Sequence, residues 1–221
     1  MYWMFRPTPA LVPADDALPG RAEPVLDAPQ PHAVLATPIT GPWQDNQRSV
    51  LVGVGCFWGP EKLYWQLDGV VSTSVGYAGG VTPNPTYQEV CSGRTNHAEV
   101  VEVVYDPDVI SLREIIALAL EDHDPTQGFR QGNDVGTQYR SAFYTLGEHA
   151  AQDKELIEEM VADYGRRLAE HGYGEVTTEI AALADTPSGQ YYRAEDYHQQ
   201  YLHKVPDGYC PTHATGVACG R

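Results

Sequence analysis

Positive charge is scarce in this chain. Its 221 residues include 14 lysines and arginines but 30 aspartates and glutamates, which gives a formal net charge of −16. Phosphate backbones and anionic membrane surfaces are bound mainly by basic protein surfaces. The composition therefore argues against nucleic acid or a lipid surface as the main partner.

Long apolar runs are also missing, since no stretch is long enough to cross a bilayer. The first residues, MYWMFRPTPALVPADD, lack the charged-then-apolar pattern of an export signal. Apolar residues nevertheless make up 42% of the chain, which is enough for a hydrophobic core. We expect a cytoplasmic, monomeric protein.

Cysteine is limited to four positions: Cys56, Cys91, Cys210 and Cys219. No pair has the C-x-x-C spacing of a zinc knuckle or a thioredoxin-like site. A cytosolic chain of this length does not need disulfides for stability. By composition alone each cysteine is most simply a small buried apolar residue, so any chemistry must be argued from its context.

Proline divides the chain. Residues 1–45 contain nine prolines, which block helix interiors and central strands. We expect this arm to lie extended on the domain surface, or to be partly disordered, without recognisable chemistry. Residues 46–202 are predicted to form an α+β domain, and residues 203–221 a flexible tail.

The hydrophobic patterns of the domain predict strands and helices in the order β-α-β-β-α-β, followed by further elements. This order is typical of the ferredoxin-like, or split βαβ, fold with a mixed sheet. Polar loops are expected at 81–97 and 128–140. The predicted strands are 49–55, 69–80, 98–107, 141–146 and 175–183, and the predicted helices are 57–69, 111–123, 148–171 and a short one near 194–202.

Cys56 lies at the predicted junction of a strand and a helix, in the segment GCFWG at 55–59. Backbone N–H groups and the positive end of the helix dipole favour an anion there, so the thiol is expected to gain thiolate character. The adjacent glycines leave room for a substrate. A reactive Cys56 and a buried structural Cys56 both remain open on this argument.

Several long segments resemble the A type of peptide methionine sulfoxide reductase. The resemblance covers roughly residues 48–210, and the proline-rich arm resembles an extension of some bacterial members. Phe129 departs from the usual methionine, and residues 117–120 are less aromatic than is usual. The segments are GCFWG at 55–59, GYAGG at 76–80, NPTYQEVCSGRTNHAEVV at 84–101, HDPTQGFRQGNDVGTQYRSAFY at 123–144 and AEDYHQQYL at 194–202.

The resemblance implies that Cys56 attacks the sulfur of the S epimer of methionine sulfoxide, free or in oxidised proteins. It assigns the proton donor to Glu99 and binding of the sulfoxide oxygen to Tyr87 and Tyr139. Such chemistry needs an acid, because oxygen leaves poorly unless it is protonated. Without the resemblance, Glu99 would be interpreted as a solvated residue at a strand edge.

The resemblance also implies an apolar wall of Phe57 and Trp58 for the substrate methyl group, and a role for Asp134 in ordering the site. An apolar wall would desolvate the reacting oxygen. The alternatives are that Phe57 and Trp58 are core residues and that Asp134 is an ordinary turn aspartate.

For recycling, the resemblance makes Cys210 the resolving cysteine, with Cys219 as the second recycling cysteine of three-cysteine members. A thioredoxin-like protein would be the reductant, and no cofactor or metal is implied. Cys91 matches a family cysteine without a chemical role, so we expect a structural residue. Cys219 as a surface thiol without a role remains an alternative.

Two other classes of protein remain open. A thiol peroxidase would also form a sulfenic acid. A metal-binding module is possible because several histidines accompany the late cysteines, although their spacing is irregular. The potential ligands are His97, His123, His198, His203, His213, Cys210 and Cys219.

Overall fold

Valine-rich segments of the sequence form the strands of a mixed sheet, and amphipathic segments form the helices. The computed structural model describes residues 8–209 and 213–220, and the elements named below belong to these residues. They are β1 (Arg48–Val54), α1 (Trp58–Tyr64), β2 (Val70–Ala78), α2 (Tyr87–Cys91), β3 (Ala98–Tyr105), α3 (Leu112–Asp122), β4 (Arg130–Gln131), β5 (Asp134–Val135), β6 (Ser141–Thr145), α4 (Ala150–Glu170), β7 (Glu179–Ala182), β8 (Tyr192–Arg193) and α5 (Tyr201–Lys204).

The main sheet has the strand order β7-β6-β1-β3-β2-β8. Strand β3 lies between β1 and β2 and is antiparallel to both, while β6 is antiparallel to β1 and β7 is parallel to β6. The expected α+β architecture with a mixed sheet is therefore confirmed. All eight residues of β3 are buried, so any polar side chain on this strand is withdrawn from water.

Helices α3 and α4 pack against the sheet. Helix α3 begins with the expected capping box, in which Ser111 accepts from the backbone N–H of Glu114 and the Glu114 side chain accepts from the N–H of Ser111. Its buried side chains, and those of α4, share one hydrophobic core with the strands. The buried apolar residues of the two helices include Leu112, Ile115, Ile116, Leu120, Ile157, Met160, Tyr164 and Leu168.

Three local predictions differ from the structure. The helix expected at 57–69 ends at Tyr64, because the chain must turn before it enters β2 at Val70. The loop expected at 81–97 contains α2, whose signal was the Thr86-x-x-Glu89 capping box. The helix expected near 194–202 is α5, which crosses the boundary placed at 202. The two-residue strands β4, β5 and β8 are too short to produce a periodic pattern.

The described part of the arm follows the surface of the domain and is anchored at several points. A 3-10 turn at Ala14–Asp16 interrupts an otherwise irregular path. His32 and Ile39 are buried against the domain. The Nε2 atom of His32 is bonded to the Thr73 hydroxyl at 2.8 Å. The arm therefore contributes a buried polar contact that proline content alone did not indicate.

Residues 213–220 pack against the domain, although the sequence suggested a flexible tail. Val217 and Cys219 are buried in the core shared with α3 and α4. The Tyr164 hydroxyl bonds to the Thr215 hydroxyl at 2.7 Å and donates to the carbonyl oxygen of Val217 at 3.1 Å. The apolar side chains of this segment explain the difference, since they remove apolar surface from water.

Candidate active site

Cys56 is placed by a tight junction between β1 and α1. Gly55 has a φ of 101°, and a Cβ added there would lie 2.8 Å from the side chain of Gln131. Glycine is therefore required for both conformation and space. Cys56 is half-buried and lines a small cavity with Gln131, Asp134 and His213. The predicted strand-to-helix position of Cys56 is confirmed.

Glu99 lies on the central strand β3 and is 1% exposed, so the interpretation as a solvated edge residue was wrong. The backbone N–H of Phe57 donates to Glu99 Oε2 at 3.2 Å. Among the described residues, Glu99 Oε1 has no hydrogen-bond partner. Burial raises the pKa of Glu99 to about 8, an effect opposed by the Phe57 N–H and reinforced by Asp134. Glu99 is therefore a neutral acid at pH 7, next to the residue that follows Cys56.

The two tyrosine hydroxyls predicted to bind oxygen are brought near Glu99. Tyr87 is the first residue of α2, and Tyr139 ends a 3-10 turn at Thr137–Tyr139. Burial raises the pKa of both hydroxyls. For Tyr87, the next largest contributions to the raised pKa come from Cys91 and then Glu99. For Tyr139, they come from Glu99 and then Tyr87. Both tyrosines remain protonated and can donate hydrogen bonds.

Phe57 and Trp58 have different environments. Phe57 is 1% exposed and packs 6.0 Å from Tyr77, measured between ring centroids, so its core interpretation was right in part. Trp58 is half-buried, and its indole N–H donates to His198 Nδ1 at 3.1 Å. The Trp58 ring also stacks on Tyr201 with centroids 4.0 Å apart. Trp58 is thus held in place while part of it stays accessible.

His198 is a further residue of the candidate site, although the sequence indicated it only as a potential metal ligand. It is buried, its ring centroid lies 4.5 Å from that of Tyr87 and 5.2 Å from that of Phe57, and burial lowers its pKa to about 4. The neutral ring accepts the hydrogen bond of Trp58. The segment AEDYHQQYL, quoted above for its resemblance, was the signal that could have identified His198 and Tyr201.

Asp134 lies in the short strand β5, and it lines the same cavity as Cys56. The Tyr209 hydroxyl lies 3.3 Å from each Asp134 carboxylate oxygen. Burial raises the pKa of Asp134, whereas the hydrogen bond from Tyr209 lowers it. Tyr209, which was also missed, connects the segment before Cys210 to the site.

The remaining cysteines differ in solvent exposure. Cys219 is 6% exposed, and burial followed by the charge of Glu121 raises the pKa of its thiol. Cys91 is exposed at the end of α2 and is hydrogen-bonded to Tyr87, so it is not the small buried residue that composition suggested. Its lack of a chemical role stays a prediction. Cys210 lies outside the described residues.

Within residues 8–209 and 213–220, no group of three or more His, Cys, Asp or Glu side chains is arranged to hold a metal ion. His97 and His123 are instead buried and bonded to the carbonyl oxygens of Thr82 and Ala119, at 2.8 Å and 2.6 Å. In the same described ranges, no helix combines the length and the apolar character needed to cross a membrane.

Comparison with known proteins identifies the family of the chain. The family model described as "Peptide methionine sulfoxide reductase" matches residues 48–218. A "Peptide methionine sulfoxide reductase MsrA" of Corynebacterium efficiens is 61% identical over 220 residues, covering 100% of this chain and 99% of the relative. A Brucella ovis protein of the same name is 55% identical over 205 residues, covering 93% of this chain and 90% of the relative.

Solved structures give the same result. "Methionine sulfoxide reductase A" of Corynebacterium diphtheriae is 59% identical with a TM-score of 0.88, covering 96% of this chain and 99% of that chain. The reduced form of Mxr1 from Saccharomyces cerevisiae is 37% identical with a TM-score of 0.67, covering 77% and 93%. These matches place the protein among the thiol-dependent oxidoreductases. The chain belongs to the peptide methionine sulfoxide reductase family, and the full-length relatives named above are of its A type, MsrA.

Proposed function

We propose that the protein reduces the S epimer of methionine sulfoxide, free or in oxidised proteins, to methionine, with Cys56 as nucleophile and Glu99 as proton donor. The observation that carries the proposal is the Glu99 carboxyl group. It is buried, its pKa is raised to about 8, and it is bonded to the backbone N–H that follows Cys56. Such a group can protonate a leaving oxygen at neutral pH.

In the first step the Cys56 sulfur attacks the sulfoxide sulfur and forms a transient S–S bond. The substrate S–O bond and this S–S bond then both break as the protonated oxygen passes to the Cys56 sulfur. Methionine and a Cys56 sulfenic acid are the products, so the substrate is reduced and Cys56 is oxidised. Glu99 Oε1, which lacks a partner among the described residues, is available to donate its proton to the oxygen. Hydrogen bonds from Tyr87 and Tyr139 would stabilise the charge that develops there.

Substrate positioning falls to the aromatic wall and to Asp134. The partly accessible Trp58 ring would contact the methyl group, with Phe57 behind it, and the contacts of Trp58 with His198 and Tyr201 support a fixed orientation. The bond between Tyr209 and Asp134 would keep the Asp134 carboxylate at the edge of the cavity.

We further propose a recycling relay. The Cys210 thiol would condense with the Cys56 sulfenic acid, forming a disulfide and releasing water. Cys219 would then attack Cys210, which frees Cys56, and a thioredoxin-like dithiol would reduce the outer disulfide. Since Cys219 is buried against Glu121, this exchange would require residues 213–220 to leave their docked position.

The decisive experiment is turnover of separated R and S epimers of methionine sulfoxide with dithiothreitol as reductant. We expect turnover of the S epimer alone, and none with Cys56→Ser when circular dichroism shows that the variant is folded. Faster turnover of hydrogen peroxide than of either epimer would favour the thiol peroxidase instead. One tightly bound zinc per chain, purified under reducing conditions, would favour the metal-binding module.

We also propose that the protein repairs oxidised proteins as a monomer in the cytoplasm, which sedimentation and fractionation would test.

The four central strands are proposed to form the ferredoxin-like split βαβ unit. Their order β6-β1-β3-β2, with antiparallel neighbours, supports this assignment.

A further inference from the structure

Part of the arm crosses the loop that carries Tyr87. We call residues 12–22 the strap, and they are hydrogen-bonded to residues 82–96. The strap is joined to both ends of this loop by backbone and side-chain hydrogen bonds. These bonds are Val12 N–H to Asn96 Oδ1 at 2.9 Å, Asn96 Nδ2 to Val12 O at 2.8 Å, Leu18 N–H to Arg94 O at 2.9 Å, Thr82 Oγ1 to Leu18 O at 2.9 Å and Arg21 N–H to Pro83 O at 3.1 Å.

Helix α2, at the centre of this loop, cannot hold its position alone. It has five residues, Tyr87–Cys91, and helices of one or two turns are unstable in isolation. On either side of it, Asn84 and Gly93 have φ angles of 47° and 73°. The orientation of α2 must therefore come from contacts with other parts of the chain.

Arg21 of the strap makes a two-point contact with this helix. Its Nη2 and Nη1 atoms donate to Glu89 Oε1 and Oε2 at 2.8 Å and 2.9 Å, and Nη1 also donates to the carbonyl oxygen of Asn84 at 2.6 Å. Such two-point pairing of guanidinium and carboxylate fixes orientation as well as distance. Arg21 is the main cause of the lowered pKa of Glu89, so the carboxylate stays charged.

Glu89 in turn closes the first turn of α2. Its Oε2 atom accepts the backbone N–H of Thr86 at 2.8 Å, and Thr86 Oγ1 accepts the N–H of Glu89. Tyr87 lies between these two residues, and its own N–H is bonded to Glu195 Oε1 at 2.8 Å. Tyr87 is therefore part of a turn that Glu89 closes, and Arg21 of the strap holds the Glu89 carboxylate in place.

We propose that Arg21 is a positioning residue of the active site, which acts through Glu89 to place the Tyr87 hydroxyl beside Glu99 and Cys56. This gives the arm a part in the reaction. The inference rests on the proposed function, in which Tyr87 binds the sulfoxide oxygen. The side chains of Arg21 and Glu89 are 36% and 24% exposed, and ion pairs of this kind contribute little to overall stability. Misplacement of a catalytic group by about 1 Å can nevertheless cost up to ~100-fold in rate.

The test is a double-mutant cycle in the full-length enzyme, with the single-turnover rate of methionine formation as readout. We expect Arg21→Gln to lower this rate about tenfold when Tyr87 is present. Tyr87→Phe should lower it as well. In the Tyr87→Phe background, Arg21→Gln should change the rate by less than about twofold, since there is no hydroxyl left to position.

Arg166→Gln is the matched control, because it removes an exposed arginine paired with Asp163 on α4 and should leave the rate unchanged. If Arg21→Gln fails to fold, Arg21→Lys replaces it, because lysine keeps the charge without two-point pairing. Arg21→Lys must then lower the single-turnover rate when Tyr87 is present and leave it nearly unchanged in the Tyr87→Phe background. If the Arg21 substitution slows the reaction equally with and without the Tyr87 hydroxyl, the inference about Arg21 is overturned but the proposed function is not. A wild-type rate for Tyr87→Phe would overturn both the role of Tyr87 and the inference.

Discussion

Glu99 shows how one side chain acquires its chemistry from its neighbours. An exposed glutamate would be ionised at neutral pH, but Glu99 lies in the middle of a sheet whose strands exclude water. Ionising the Glu99 carboxyl group there would cost more free energy than its single hydrogen bond from the Phe57 N–H provides. The same burial that disfavours its charge keeps the proton on the carboxyl group, which supports the proposed role of Glu99 as proton donor.

The pH dependence of oxygen transfer should follow this proton. Because the raised pKa keeps Glu99 protonated up to about 8, the single-turnover rate should fall as pH rises through about 8. Glu99→Gln should slow the step by about 100-fold or more and remove this decline. Glu61→Gln is the control: Glu61 is also buried with a pKa of about 8, yet it is bonded to Gln200 and Thr73 instead of Phe57. A wild-type profile for Glu99→Gln would contradict the assignment.

The aromatic wall can be tested by truncation. Trp58→Ala removes the accessible ring and should lower kcat/KM by about tenfold or more, since part of the proposed substrate contact is lost. Phe57→Ala should act similarly but with a larger loss of thermal stability, because Phe57 is fully buried. Steady-state kinetics with S-methionine sulfoxide and thermal melts would separate the two effects. A change in kcat/KM within about twofold for Trp58→Ala would identify Trp58 as a packing residue.

Among the elements, the docked segment 213–220 bears most directly on the proposed relay. It holds Cys219 in the core, with the backbone N–H of Cys219 bonded to Glu121 Oε1 at 2.9 Å. Burial raises the pKa of the thiol and reduces the thiolate that exchange requires. In this docked position Cys219 is therefore a poor nucleophile.

Disulfide mapping after one equivalent of substrate, without reductant, should detect a bond between Cys210 and Cys219 in the wild type. Cys219→Ser should trap the bond between Cys56 and Cys210 and lose turnover driven by thioredoxin. Tyr164→Phe removes the hydroxyl that bonds to Thr215 and Val217, so it should speed transfer of the disulfide to Cys219. Normal cycling of Cys219→Ser with thioredoxin would show that two cysteines suffice.

Across the whole molecule, buried titratable groups should produce a narrow stability maximum. Below about pH 6.5 the unfolded chain protonates histidines that the native state keeps neutral, since His32, His97, His123 and His198 have pKa values near 4. Stability is therefore lost as pH falls below 6.5. Glu61 and Glu99 act in the opposite direction, because the native state keeps protons that the unfolded chain releases above about pH 4.5. Their contribution to stability is therefore lost as pH rises from 4.5 to 8.

The free energy of unfolding should therefore peak near pH 6.5 and fall on both sides. Denaturant melts at each pH would measure it. Between pH 6.5 and 8, Glu61→Gln or Glu99→Gln should each reduce the decline by up to about 1.4 kcal/mol per pH unit. Only Glu99→Gln should also remove the decline in oxygen-transfer rate. A stability curve that stays flat from pH 6.5 to 8 would contradict the buried carboxyl groups as its cause.

Elements with a long periodic pattern could be predicted from the sequence alone. The strands around Val50 and Val101 and the helices from Leu112 and from Ala150 occur where the pattern placed them. Their signals are local, since hydrophobic period and end caps are encoded within each segment. The position of Cys56 after β1 was predictable for the same reason.

The chemical setting of the site depends on residues far apart in the chain. Trp58 is oriented by His198, which is 140 positions away, and Arg21 of the strap reaches Glu89 over 68 positions. Glu99 becomes a neutral acid because β1 and β2 enclose β3. Burial and hydrogen bonding between distant segments set these properties, and no local pattern records them. The sequence thus determined the elements and the reactive side chains, whereas folding determined which side chains lost their water and how they were oriented.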